Sequence, residues 1–195
     1  MAKFFLQWIS AAVVVAATSA SANVSWDFIG RAVDDQGRLR YVEKHRVDYR
    51  DTRIARSRTV YFDAQGQKIG ELDSEYRYGP RFGSYTFRDF RANYEDGAEV
   101  SDQHIFVFRR TQPDASIETN TIPRTQRQIV GQGFHHFIAN HLDSIAGGEV
   151  YHVALVLPSR LDQFDFRIRK RSLEADRLVV RLEIDNWFLR IFAPY

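Results

Sequence analysis

The chain has 195 residues, a formal net charge of +2 and no cysteine. Disulfides and thiolate metal sites are therefore excluded, and stability has to come from burying a core. A charge this close to neutral leaves no electrostatic footprint for nucleic acid, so nucleic acid is not an expected partner.

The first 22 residues carry one early cation, Lys3, and then an uncharged run rich in Ala and Val that ends with Ala20 and Ala22. This is the pattern of a cleaved signal peptide, with the cut before Asn23; Ser10, Thr18, Ser19 and Ser21 interrupt the longer apolar run an anchor needs. The expectation is a periplasmic or secreted protein, soluble after cleavage. Residues 23–195 then form a single β-rich domain.

The segment VSWDFIGRAV (24–33) alternates with period two and places Trp26, Phe28, Gly30 and Ala32 on one face. The turn DDQG (34–37) leads into a strand with Leu39, Tyr41, Val47 and Tyr49 on one face. A four-residue loop sets Ala32 against Leu39, Gly30 against Tyr41 and Phe28 against Glu43. A second hairpin with DAQG (63–66) follows 29 residues later. The same arithmetic pairs Val60 with Ile69, Arg58 with Glu71 and Arg56 with Asp73, giving an exposed ion ladder. Residues 85–94 are expected to turn at EDG (95–97) into a strand ending HIFVFRR (104–110). Residues 111–132 read as a long polar loop with one short strand near Ile117–Ile122.

The segment GFHHFIANHLDSIAGG (133–148) is the one firmly helical stretch. Phe134, Phe137, Ile138, Leu142 and Ile145 form a single apolar stripe, and Gly147–Gly148 ends it. His135, His136 and His141 lie off the stripe. Their separations of one, five and six residues miss the i, i+4 spacing of a helical zinc site, because five residues rotate a side chain about 140° around the axis. No metal and no cofactor is expected. Beyond the helix, VYHVALVL (150–157) is apolar on both faces and reads as a central strand. Residues 164–170 and 178–184 add two alternating strands, and NWFLRIFAPY (186–195) closes the chain as a dense apolar run.

Glu43 and His45 share the aromatic face of the second strand, which suits a ligand cavity lining or a catalytic dyad. No nucleophile elbow, P-loop or dinucleotide fingerprint is present.

The segments YRDTRIARSRTVYFDAQGQKIGE, GFHHFI, LPSRLDQFDFRI and DNWFLR give the chain a resemblance to an uncharacterised group of secreted bacterial β-rich proteins. None of these segments is a catalytic motif, so the resemblance implies a periplasmic setting and no reaction. Such proteins tend to continue past DNWFLR, which implies that this chain is shortened at its C-terminus. At the level of architecture it is similar to the lipoprotein carriers of the bacterial envelope.

These readings converge on a mainly β fold: a strongly curved antiparallel sheet or open half-barrel of about eight to ten strands packed on one amphipathic helix. The expected role is non-catalytic binding of a lipid or another hydrophobic or amphiphilic envelope molecule. Trp26, Phe28, Tyr41, Glu43, His45, Phe134, Phe137 and Ile138 would line the site, and the helix and the 111–132 loop would form its lid. The alternatives are a hydrolase using Glu43 and His45, and a structural or interaction module that pairs through a sheet edge.

Overall fold

The computed structural model describes residues 23–34, 36–174 and 177–185. The leader expected over 1–22 and the closing run 186–195 lie outside these residues. The fold is mainly β, as the alternation predicts. Eight strands form an open antiparallel meander in sequence order: β1 (Asn23–Val33), β2 (Leu39–Arg50), β3 (Arg53–Asp63), β4 (Lys68–Glu75), β5 (Ser84–Asp89), β6 (Tyr94–Val100), β7 (His104–Arg110) and β8 (Glu118–Pro123). A second sheet has the order β12-β11-β10-β9, built from β9 (Gln128–Val130), β10 (Tyr151–Leu157), β11 (Asp162–Glu174) and β12 (Arg177–Ile184). β9 runs parallel to β10, and the crossover between them is helical, as a parallel connection requires. It consists of α1 (Gly133–Asn140) and α2 (Leu142–Gly147).

The two D-x-Q-G loops share one construction. Asp34 accepts hydrogen bonds at its carboxylate from the backbone N–H groups of Gln36 and Arg38, and Asp63 does the same for Gln65 and Gln67. Each aspartate thus organises a five-residue loop. One residue of the following strand then bulges, Arg40 in β2 and Ile69 in β4. The two extra residues move the register by two positions from the four-residue expectation. Phe28 faces His45, Gly30 faces Glu43 and Ala32 faces Tyr41. Val60 faces Glu71, Arg58 faces Asp73 and Arg56 faces Glu75. At the bulges the expectation fails: Leu39 pairs with Val33 on the face opposite to Tyr41, and Ile69 is left out of the ladder and buried instead of facing Val60. Beyond the bulges, a shift of two keeps the side chains on their expected faces. The ion ladder therefore survives: Arg56 bonds Glu75 at 2.8 Å, and Glu71 gathers Arg58, Lys68 and Arg88.

The turn expected at 95–97 lies instead at 90–93, so EDG belongs to the interior of β6. The Asp89 carboxylate accepts from the N–H groups of Arg91 and Ala92, and Asn93 takes a positive φ of 50° that asparagine tolerates. Gly97 is needed in the strand because a Cβ there would come within 2.3 Å of the Tyr85 carbonyl oxygen. The 111–132 loop carries two strands and is not a lid: β8 pairs with β7, and β9 is buried beside β10.

One face of the small sheet lies against the large sheet, where Val130 and Val156 pack with Ala98, Val100, Ile105, Val107 and Ile122. Its other face carries the helices, where Phe137 and Ile145 pack with Ile129, Val153 and Ile168. The helix breaks at His141, whose φ of −119° is not helical. Leu142 consequently falls off the apolar stripe and is 47 % exposed.

The entry to α1 is wedged against the connection between β4 and β5. A Cβ at Gly133 would sit 2.4 Å from the Arg81 carbonyl oxygen, a backbone atom that cannot step aside. Gly147 has open space where a Cβ would go and no positive φ. Gly133→Ala is expected to cost about 2 kcal/mol or more, as overpacking against backbone does. Gly147→Ala should be neutral or stabilising by up to about 1 kcal/mol. Urea denaturation of both variants checks the contrast.

Candidate functional site

The register brings one transverse row across the covered face of the large sheet: Phe28, His45, Thr59, Leu72, Phe87 and Asp96 lie on successive strands. The neighbouring row begins Gly30, Glu43, Tyr61. Gly30 leaves the gap that Glu43 and His45 fill, since a Cβ there would meet the Glu43 Oε2 at 2.9 Å and the His45 Nε2 at 3.3 Å. Phe28 lies flat on the His45 ring, with centroids 4.3 Å apart.

His45 is 6 % exposed and has a partner on each nitrogen. Its Nε2 lies 2.8 Å from Glu43 Oε2, and its Nδ1 lies 2.9 Å from Thr59 Oγ1. Gln132, just ahead of α1, reaches Thr59 Oγ1 with its Nε2 at 3.5 Å, and its Oε1 meets the Nδ1 of His135. The bond to His45 holds the Glu43 carboxyl below its ordinary range, so it is ionised and can only accept. One consistent set of donors follows for a neutral His45 ring. His135 Nδ1–H donates to Gln132, Gln132 to Thr59, Thr59 O–H to His45 Nδ1, and His45 Nε2–H to Glu43. Every donor in this chain is aimed at the Glu43 carboxylate, an arrangement in which the bonds polarise one another. Burial pushes His135 down from its usual value, which favours its neutral ring. Burial raises the phenols of Tyr41 and Tyr61, and the Glu43 charge adds to it.

The structure therefore gathers Phe28, Tyr41, Glu43 and His45 of the expected residues and adds Thr59, Tyr61, Gln132 and His135. Phe137 is buried in the helix–sheet core and Ile138 packs against it, so neither lines this site; Phe134 is also packed there. Trp26 stands on the same face of β1 but is 65 % exposed, and Phe28 is 51 % exposed beside it. The three helix histidines go three ways. His135 approaches His45, His136 meets the Tyr76 ring edge-on, and His141 stacks on Phe137. Thr59 had a signal in the sequence, because Ser57, Thr59 and Tyr61 put hydroxyls on one face of a strand. Gln132 had none, since only the wedge at Gly133 brings it across.

On the outer face, a hollow of about 600 Å³ is lined by Arg56, Arg58, Asp73 and Glu75, charges that already pair within the sheet. No helix among the described residues is long and apolar enough to cross a membrane. No protein-family model matches the chain, and no curated protein or solved structure matches it significantly.

Asp96, in this row on β6, is a buried carboxyl whose pKa burial raises from 3.8 to about 6, against a 2.9 Å bond from the Tyr94 hydroxyl. The folded state then holds a proton that the unfolded chain has released, so this contribution is full below pH 3.8 and lost as pH rises through about 6. Asp96→Asn should be more stable than the parent at pH 7 and lack that decline. Thermal melts between pH 4 and 7 check it.

Proposed function

We propose that the protein is a non-catalytic binder of an amphiphilic molecule of the cell envelope, acting in the periplasm or outside the cell. The observation that carries this reading is the pairing of two opposite surfaces at one place. Trp26 and Phe28 form an exposed aromatic shelf on β1, and it ends at an ionised, partly open carboxylate that is already oriented by its bond to His45. An acyl chain or ring would lie on the shelf, and a hydrogen-donating head group would face Glu43. Preorganised polar groups beside apolar surface are what small-molecule sites share. The likeness to envelope carriers belongs to this proposal, although the ligand rests on an open shelf outside the helix and not in a cavity beneath it.

A hydrolytic reading has some geometric appeal, because Glu43, His45 and Thr59 stand in the order of carboxylate, base and hydroxyl. Two facts weigh against it. Thr59 is 1 % exposed, and its hydroxyl lies between His45 and Gln132. A substrate has no approach to that oxygen.

Titration of the protein with a lysophospholipid, followed by tryptophan fluorescence and calorimetry, tests the binding reading. Trp26→Ala and Phe28→Ala should each weaken binding by about tenfold, the effect of removing one buried aromatic contact. Glu43→Gln should weaken heads that donate hydrogen bonds more than heads that do not. Absence of binding to the parent, or equal affinity in all three variants, would remove the proposal.

A further inference from the structure

We propose that two copies of the chain pair through β1, antiparallel and centred on Ile29, to extend the eight-stranded sheet across a two-fold axis. The inference stands whether or not the aromatic shelf takes a ligand.

The two edges of the large sheet are built differently. β8 is six residues long, mostly polar and ends in Pro123, and Asn120 and Arg109 tie its neighbourhood to the turn at 159–161. Those features discourage another strand. β1 has eleven residues, no proline and no lysine. It exposes apolar side chains on both faces, Val24, Trp26 and Phe28 on one and Ile29 (63 % exposed) and Val33 on the other. The bulge of its hairpin falls on Arg40 in β2, so the ladder of β1 itself is unbroken. A long, regular, apolar edge is a template for strand addition.

The side chains select a second copy in a single register. Asp27 and Arg31 stand on the same face four residues apart, and among the described residues neither has a salt-bridge partner. In a two-fold antiparallel pair, residue i faces residue j with a fixed sum, and the sum must be even to keep like faces together. Centring on Ile29 puts Asp27 opposite Arg31 of the second copy, and Arg31 opposite its Asp27. Phe28 then stands opposite Gly30 of the other copy, a position with no Cβ to crowd it. Centring on Asp27 or on Arg31 sets like charges face to face. Centring on Phe28 or Gly30 leaves both charges opposite uncharged residues. One register satisfies both charges twice.

Sedimentation equilibrium of the chain, purified as its host cell delivers it, provides the test. The parent should show a reversible dimer. Asp27→Arg and Arg31→Asp should each raise its dissociation constant at least about tenfold, because each puts two like-charge pairs into the junction. Two rescues are expected: the double variant carrying both reversals, and an equimolar mixture of the two single variants, in which only the mixed dimer has opposite charges face to face. Far-UV circular dichroism should be unchanged in every variant, since both side chains are on an edge strand. A parent that stays monomeric would overturn the proposal. So would a dimer indifferent to the single reversals, or one lost in them and regained in neither rescue.

Discussion

The fold turns on the approach of the Gly133 backbone to the carbonyl of Arg81. It is a contact between two main chains, so side-chain adjustment cannot relax it, and it sets where α1 begins relative to the connection between β4 and β5. From that fixed point the helix presents two different surfaces. Phe137, and beyond the break Ile145, go to the small sheet and its apolar core. Gln132, His135 and His136 go the other way, to the hydroxyls and rings on β2, β3 and Tyr76. The histidines are therefore part of the joint between the sheets, and the polar chain ending at Glu43 exists because the helix is held this close.

This division also explains why the covered face of the large sheet changes character along its width. Toward β6–β8 it is covered by the small sheet and is made of Ala98, Val100, Ile105, Val107 and Ile122. Toward β2 and β3 it is covered by the polar side of a helix, and buried polar groups there must be bonded. Thr59, His45 and Gln132 satisfy one another. At β1 the cover ends, so the aromatics of that strand meet solvent while the carboxylate behind them is held in place.

Much of the architecture was legible from period-two alternation, which put the side chains of the first two hairpins on their correct faces except at the bulges, where Leu39 and Ile69 depart from the pattern. The loops carried less information. D-x-Q-G reads as a four-residue turn, and only the aspartate caps and the bulges at Arg40 and Ile69 reveal a register two residues away. Gly97 looks like a turn residue because nothing local distinguishes a glycine needed for a bend from one needed for a close approach. β9 has three residues and no pattern long enough to detect. Glu43 and His45 were legible as a pair on an aromatic face. Their partners Gln132 and His135 come from a segment some 90 residues away and were not. The contiguous apolar stripe of the helix hid its break at His141, where the ring packs on Phe137 of α1 and on Tyr151 of β10.

The claim beneath this account is that α1 is tied to the large sheet by a directed chain of hydrogen bonds ending on Glu43. Nitrogen-15 NMR of the imidazole rings at neutral pH tests it most directly. The account predicts that His45 carries its hydrogen on Nε2 and accepts at Nδ1, and that Thr59→Val changes the Nδ1 shift alone of the two ring nitrogens. A His45 ring protonated on Nδ1 instead, or one whose nitrogens give the averaged shifts of a freely exchanging imidazole, would contradict it.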